Sequence, residues 1–424
     1  MTLKHVTIDG IRLHLKIDED RMLINGYYNV YLNKTAKGIL EIFIDKCKEN
    51  ETNSTAIIPQ ALDEIQKKFK ISRRVADRDL HKLIEIINHF GCGEIPCHLV
   101  GLDKFGDHNA PMRMDLALTY RCTNKCPHCY LPKNESKTEL TTEQWKKIID
   151  TLWHIGIPQV AFTGGECTLR KDLPELVKHA HEMVTGIITN GTRISPELAK
   201  QLKENDLDWV QITLESHNGE THDEMQGRVG AYAETILGIA ACVNAGLSVS
   251  INSTLTKKNI NDLPDLIKFA KSLGVKFVST NALINSGRGV SVKPMEGVSE
   301  DELLTILHNA KEVAKVEGIE FNWFLPTCYK NLDPIKEGFG QRCCSACGVN
   351  MLIEPDGTVI PCQSWTNLKL GNIQTTPWDT IWKSEIAKKI RSHGFAPKEC
   401  EGCDQFEACG GGCPLEHLNG DDKK

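Results

Sequence analysis

The sequence predicts an α/β protein in three parts: a partial (β/α)6 TIM-like barrel, a winged-helix-like domain before it and a cysteine-rich domain after it. Three observations carry this expectation. From about residue 112 to 286, six short apolar runs alternate with amphipathic helical stretches, the pattern of a parallel sheet with right-handed crossovers. Residues 1–95 instead read as alternating strands followed by three helices. Of the 17 cysteines in 424 residues, nine fall between Cys328 and Cys413. The length favours two or three domains over one core, with expected bounds 1–95, 110–310 and 320–424.

In the first part, IRLHLKI and MLINGYYNVYLN alternate as strands, with a turn signal at Asn25-Gly26. Asn33 can cap a helix over residues 35–48, in which Ile39, Phe43 and Cys47 share a face. Further helices are expected over 57–69 and 73–89, the latter with an apolar stripe of Val75, Leu80, Leu83, Ile84 and Ile87. Gly91, Gly93 and Pro96 then mark a linker. The barrel strands are expected at 114–118, 159–162, 186–189, 209–214, 247–253 and 275–281. The helices between them fall at 142–155, 172–184, 195–205, 231–245 and 263–273, and a helical connection over 301–317 leads to the cysteine-rich part.

A charged fraction of 25%, a hydrophobic fraction of 40% and a net charge of -6 are ordinary for a soluble protein and disfavour a generic nucleic-acid binder. The chain shows no apolar run of about 18 residues and opens without a signal-peptide pattern, so no membrane association and a cytoplasmic location are expected. In a reducing compartment, so many cysteines argue for thiolate ligation of metal rather than disulfides. Cys47, Cys92, Cys97, Cys167 and Cys242 are scattered and read as small buried hydrophobes.

Cys122, Cys126 and Cys129 form C-x-x-x-C-x-x-C just after the first barrel strand. Three thiolates on one loop can hold a four-iron four-sulfur cluster with one iron left open. Structural zinc prefers four ligands in paired spacing, and the C-terminal ends of barrel strands are where chemistry sits. Those ends also carry Arg121, Thr163, Asn190, Glu215 and Asn252.

The triplet in this place resembles the signature of the radical S-adenosylmethionine superfamily. The resemblance implies that the open iron chelates S-adenosylmethionine, whose one-electron cleavage gives a 5'-deoxyadenosyl radical. Thr163-Gly164-Gly165-Glu166 matches the family's GGE element at the second strand end. Its glycines permit close backbone approach, and its carboxylate can accept from an ammonium. Thr189-Asn190-Gly191 matches the family's TNG, and Thr213-Leu214-Glu215-Ser216 stands where relatives carry SLD. Many relatives have arginine at the position of Gln226, for which Arg228 is a candidate substitute. Asn252 and Thr254 either contact the cosubstrate or cap the next turn.

Cys347, Gly357 and Cys362 give C-x9-G-x4-C, and Cys400, Cys403, Cys409 and Cys413 give C-x2-C-x5-C-x3-C. Together these resemble the SPASM extension of the same superfamily, which implies two auxiliary iron-sulfur clusters. By position, the first takes Cys347, Cys362 and Cys413, with Cys343 or Cys344 as fourth ligand. The second takes Cys400, Cys403 and Cys409, but no cysteine follows Cys413. Its fourth ligand is then His417, a tail carboxylate, an upstream cysteine such as Cys344 or Cys328, or nothing. Gln363 stands where sulfatase-maturing relatives have a catalytic aspartate, and an amide cannot act as that base.

Residues 1–95, with LN-x-TA-x-GIL at 32–40, resemble a PqqD-like peptide-recognition element. The resemblance implies a leader peptide added as a strand, a precursor peptide as partner and an electron donor such as flavodoxin or ferredoxin. The expected activity is a peptide maturase that installs a crosslink or other oxidative modification. The alternatives are an enzyme acting on a small molecule or cofactor precursor, and an iron-sulfur sensor with a DNA-binding wing. The 15 basic and 14 acidic residues of 1–95 weigh against the last.

Overall fold

In a computed structural model, the described residues are 2–8, 11–17, 21–24, 28–31, 34–49, 54–91, 109–131 and 137–418. They form two compact units, Met1–His108 with Glu182–Val184, and Asn109–His181 with Thr185–Lys424.

The first unit opens with β1 (Thr2–Ile8), β2 (Ile11–Ile17), β3 (Arg21–Ile24) and β4 (Tyr28–Tyr31), an antiparallel sheet in the order β1-β2-β3-β4. β1 is a strand beyond the expected hairpin; the Asn25-Gly26 turn and the Asn33 cap lie outside the described residues. Three helices follow: α1 (Lys34–Glu49), α2 (Ser54–Phe69) and α3 (Arg73–Gly91). Their apolar faces meet in one core, where Ile39 and Phe43 of α1 pack with Leu62 and Ile65 of α2 and Leu80, Leu83 and Ile84 of α3. Ala76 fills the interior at the start of α3 where Val75 was expected, and Val75 stays half-buried.

The second unit begins β5 (Arg113–Thr119), α4 (Thr142–Ile155), β6 (Gln159–Gly164), α5 (Leu173–His179), β7 (Val184–Thr189), α6 (Pro196–Glu204) and β8 (Trp209–Thr213). It continues with α7 (Gly219–Gln226), α8 (Ala231–Asn244), β9 (Ser248–Leu255), α9 (Leu263–Ser272), β10 (Phe277–Ala282), α10 (Gly289–Glu296), α11 (Glu300–Glu317) and β11 (Glu320–Trp323). Cap chemistry fixes several ends. α4 starts in a capping box of Thr141 and Gln144 and stops at left-handed Gly156. α5 ends earlier than its periodicity suggested, because Met183 and Val184 are buried and Val184 begins β7.

The sheet runs β11-β10-β9-β8-β7-β6-β5 and does not close, as expected of a partial barrel. Two features were not anticipated. β11 adds a seventh strand in parallel with β10. On the other side, the cysteine-rich region adds β12 (Asn350–Ile353), which pairs in parallel with β5, and then β13 (Thr358–Ile360) and β14 (Gly371–Asn372) antiparallel. Both cysteine-rich regions therefore attach to the first barrel strand. Buried Glu354, just past β12, accepts hydrogen bonds from Tyr120 Oη and Lys137 Nζ, both at 2.8 Å.

Candidate functional site

The loop after β5 is held by backbone that only glycine permits. The N–H of Gly165 donates to Thr119 O at 2.7 Å and that of Glu166 to Arg121 O at 2.9 Å, so the end of β6 lies directly against the start of the cysteine loop. Gly164 has φ +126, and a Cβ on it would sit 2.2 Å from Thr119 O. A Cβ on Gly165 would sit 2.4 Å from Arg121 O. Thr163 is buried beside them and hydrogen-bonds Tyr130, whose hydroxyl also donates to Gly164 O at 3.3 Å. Tyr130, missed at the sequence level, follows the third cysteine directly and is a half-buried wall of this corner.

Cys122, Cys126 and Cys129 come together on that loop. A turn joins the last two, with Cys129 N–H donating to Cys126 O at 3.3 Å. Burial pushes the Cys126 thiol well up, and the charges of Cys129, Glu215 and Cys122 add to it. Cys122 is exposed as a residue, yet desolvation of its sulfur is the main influence and raises its pKa; Glu166 and Cys129 push the same way. Its sulfur accepts from Asn124 N–H at 3.4 Å and Asn190 Nδ2 at 3.7 Å. Thiols that resist ionisation this way become thiolates only against strong positive charge, which an iron-sulfur cluster provides. Soft sulfur donors, one short of a full set and seated at a strand end, fit such a cluster. Among the described residues, no three His, Cys, Asp or Glu side chains converge to hold a single ion.

Glu166 is a fully buried junction. Its Oε1 accepts from Thr168 N at 3.0 Å, Thr168 Oγ1 at 2.6 Å and Thr189 Oγ1 at 2.7 Å, while Oε2 accepts from Asn190 N at 2.8 Å. Asn190 Nδ2 donates to Thr123 Oγ1 at 2.9 Å, which carries the connection back to the loop.

Glu215 forms a second junction. Its Oε1 lies 3.2 Å from both His128 Nε2 and Gln226 Nε2, and its Oε2 accepts from Thr254 N at 2.8 Å. Gln226 Oε1 in turn accepts from Asn124 Nδ2 at 2.7 Å and Cys126 Sγ at 3.4 Å. Gln226 therefore meets Glu215 itself, and Arg228 does not replace it: the guanidinium bonds Asn124 Oδ1 at 2.8 Å and Glu234 at 2.6 Å. The helix that brings Gln226 here, α7, was missed although its caps are legible: Asn218 accepts from Glu220 N and Thr221 N, and Gly227 is left-handed at φ +61. A Cβ on Gly227 would lie 2.4 Å from Lys125 O, so α7 docks its end onto the cysteine loop.

Other expected residues stand apart. Arg121 pairs with Glu139 at 3.0 Å on the surface. Asn252 bonds Asn281 at 3.1 Å and Ser279 at 3.0 Å within the sheet, and half-buried Thr213 ends β8. Cys167 and Cys242 are core residues, as expected; Cys92, Cys97 and the Cys47 side chain lie outside the described residues.

The C-terminal cysteines sort into two neighbourhoods. Cys344, Cys347, Cys362 and Cys413 influence one another electrostatically, and burial pushes Cys344, Cys362 and Cys413 up to about 12. Cys347 holds a left-handed φ of +57, pinned by N–H contacts to Asn350 O at 3.1 Å and Pro361 O at 3.4 Å. Cys409, Cys328 and Cys403 all act on Cys400. Cys343 lies between the groups, within range of Cys409 and of Cys344.

Two family models match the chain, the Radical SAM superfamily over residues 116–270 and the SPASM iron-sulfur cluster-binding domain over 343–404. The chain is a radical SAM superfamily enzyme with a C-terminal SPASM domain. Its radical SAM domain binds S-adenosylmethionine and a four-iron four-sulfur cluster, and its SPASM domain binds auxiliary iron-sulfur clusters. Among curated relatives, Fe-coproporphyrin III synthase of Methanosarcina barkeri is 29% identical over 350 residues, 75% of this chain and 86% of that protein. PqqA peptide cyclase of Granulibacter bethesdensis is 27% identical over 314 residues, 72% of this chain and 82% of that protein. The fold is similar to Streptococcus suis SuiB bound to precursor peptide SuiA, with TM-score 0.67, 16% identity and coverage of 95% and 96% of the two chains.

Proposed function

We propose that this enzyme modifies a ribosomally made precursor peptide, installing a crosslink or another oxidative change. The observation that carries the reading is the first unit: a small antiparallel sheet whose outer strands β1 and β4 have no further strand partner among the described residues. Such an edge offers main-chain hydrogen bonds to an extended leader peptide. SuiB, whose likeness spans 95% of this chain, was solved with its precursor peptide.

In this reading, residues 1–95 recognise the leader, 110–310 carry the radical chemistry and 320–424 hold two auxiliary clusters. Cys122, Cys126 and Cys129 hold the reducible cluster, Cys344, Cys347, Cys362 and Cys413 the first auxiliary cluster, and Cys400, Cys403 and Cys409 most of the second. Once bound, the cluster and S-adenosylmethionine supply a 5'-deoxyadenosyl radical for hydrogen abstraction, with flavodoxin or ferredoxin as electron donor. The chain's own residues position and enclose. Gly164 and Gly165 seat the cysteine loop against bare backbone, and Thr163, Glu166 and Asn190 hold the strand ends that cosubstrate meets. Glu215, its oxygens taken by His128, Gln226 and Thr254, fixes the cysteine loop.

A second reading, action on a tetrapyrrole, is favoured by the similarity to Fe-coproporphyrin III synthase. Anaerobically reconstituted enzyme with reductant is expected to release 5'-deoxyadenosine, and Cys126→Ala to abolish it. Calorimetry then separates substrates: binding of a precursor peptide encoded beside the gene supports the proposal, whereas binding of a coproporphyrin and no peptide overturns it.

A further inference from the structure

The motif gives the second auxiliary site three cysteines, and identifying its fourth donor rests on the ligand assignment proposed above. Several observations meet at the turn after β11. Cys409 Sγ donates to the backbone carbonyl of Thr327 at 3.3 Å, which brings residue 328 beside Cys409. From the other side of the motif, a Cβ on Gly412 would lie 3.6 Å from the Thr327 carbonyl carbon and 3.8 Å from the Cys328 nitrogen. Cys328 acts on Cys400 more strongly than Cys403 does, although Cys403 is only a turn away in sequence. The turn is fixed: the N–H groups of Asn331 and Leu332 donate to Cys328 O at 3.0 and 2.9 Å, and Thr327 Oγ1 donates to Leu332 O at 2.9 Å.

Among the described residues the other candidate donors are committed elsewhere, and the tail carboxylates Asp421 and Asp422 lie outside them. His417 Nε2 lies 3.1 Å from Gly411 O. Glu416 accepts from Asn285 N at 3.1 Å and pairs with Lys293. Cys344 belongs to the group of Cys347, Cys362 and Cys413. Cys343 reaches Cys409 but is not among the groups that act most on Cys400.

We propose that Cys328, upstream of the SPASM motif, is the fourth thiolate of the second auxiliary cluster with Cys400, Cys403 and Cys409, and that Cys343 ligates neither cluster. Four thiolates leave no open iron. This cluster therefore has no iron free to take substrate.

The test uses the full chain with Cys122, Cys126 and Cys129 all changed to alanine, so that only auxiliary clusters report. After anaerobic reconstitution this background should hold about eight irons per chain. Adding Cys328→Ala should lower the iron content or convert one cluster to a three-iron paramagnetic form, and adding Cys343→Ala should change neither iron nor spectrum. Cys328→Ser, an oxygen ligand of nearly the same shape, should shift the electron paramagnetic resonance of one reduced cluster only. It decides the matter if the alanine variant loses its far-ultraviolet circular dichroism. Loss with Cys343→Ala, or an unchanged cluster spectrum in the folded Cys328 variants, overturns the proposal. If changing Cys400, Cys403 and Cys409 together removes no iron, the underlying reading of a second cluster fails instead.

Discussion

Gly165→Ala probes the contact on which the site is built. The added Cβ would stand 2.4 Å from Arg121 O, 2.6 Å from Tyr120 O and 2.8 Å from the Arg121 carbonyl carbon, all backbone atoms that no rotamer change can remove. Ordinary contact begins near 3.4 Å, so the cysteine loop must retreat by about 1 Å. That retreat stretches the 2.7 Å bond from Gly165 N–H to Thr119 O and the 2.9 Å bond from Glu166 N–H to Arg121 O beyond useful length. Two lost backbone hydrogen bonds at about 1 kcal/mol each, with about 1–3 kcal/mol of overpacking, give a destabilisation of about 3–5 kcal/mol. All seven tryptophans, Trp145 to Trp382, lie in the second unit, so tryptophan fluorescence during urea unfolding of the apoprotein reports that unit alone. Gly348→Ala is the control. Its Cβ meets nothing closer than Ser345 O at 3.7 Å, and the expected change is within about 0.5 kcal/mol. If Gly165→Ala unfolded within about 1 kcal/mol of wild type and kept its cluster iron, the claim that bare backbone seats the loop would be wrong.

Two further outcomes follow from the Glu215 junction. His222 Nδ1 accepts the Glu215 backbone N–H at 3.2 Å, and burial holds its pKa below the ordinary 6.5 despite the pull of Glu215 and Asp223. Near and below that pH the unfolded chain binds a proton that the folded chain resists, so stability falls on acidification by up to about 1.4 kcal/mol per pH unit. His222→Asn, which keeps an acceptor but cannot titrate, should remove this slope from the difference between the two proteins in thermal unfolding between about pH 5 and 8; parallel curves would refute the assignment. Gln226→Leu takes a partner from Asn124 Nδ2 and from Glu215 Oε1, for a loss of about 2–4 kcal/mol, and should speed chelator removal of iron from the Cys122 loop. Unchanged iron loss would mean that the amide does not brace that loop.

The βα alternation and the cysteine motifs were legible because both are local in sequence. Strand positions came within a few residues, since each apolar run is bounded by its own helix signals. β12 was invisible for the opposite reason: Asn350–Ile353 is four residues long, and its identity as a strand depends on β5, more than 200 residues upstream. The site shows the same division. The triplet, the GGE and the TNG were readable as motifs, but their side-chain roles were not. Glu166 was read as an acceptor for an ammonium, and the structure shows four hydrogen bonds to it from Thr168, Thr189 and Asn190. Gln226 was read as the loss of an arginine, whereas it joins the loop to Glu215 as an amide that both donates and accepts.

That last distinction bears on how the loop is kept in place. A buried carboxylate is costly unless its lone pairs are used, and Glu166 and Glu215 use theirs on backbone N–H groups and neutral side chains, with only His128 able to bring charge. Neutral donors such as threonine hydroxyls, backbone amides and a glutamine amide do not neutralise the two acids. Both carboxylates act on the cysteine sulfurs, Glu166 on Cys122 and Glu215 on Cys126, and in each case the negative charge disfavours a bare thiolate. In the apoprotein the Cys122 and Cys126 thiols thus resist ionisation, and bound iron favours their thiolates. An arginine at residue 226 would relieve Glu215 and lower that barrier. Gln226, a neutral amide bonded to Glu215, leaves it as it is.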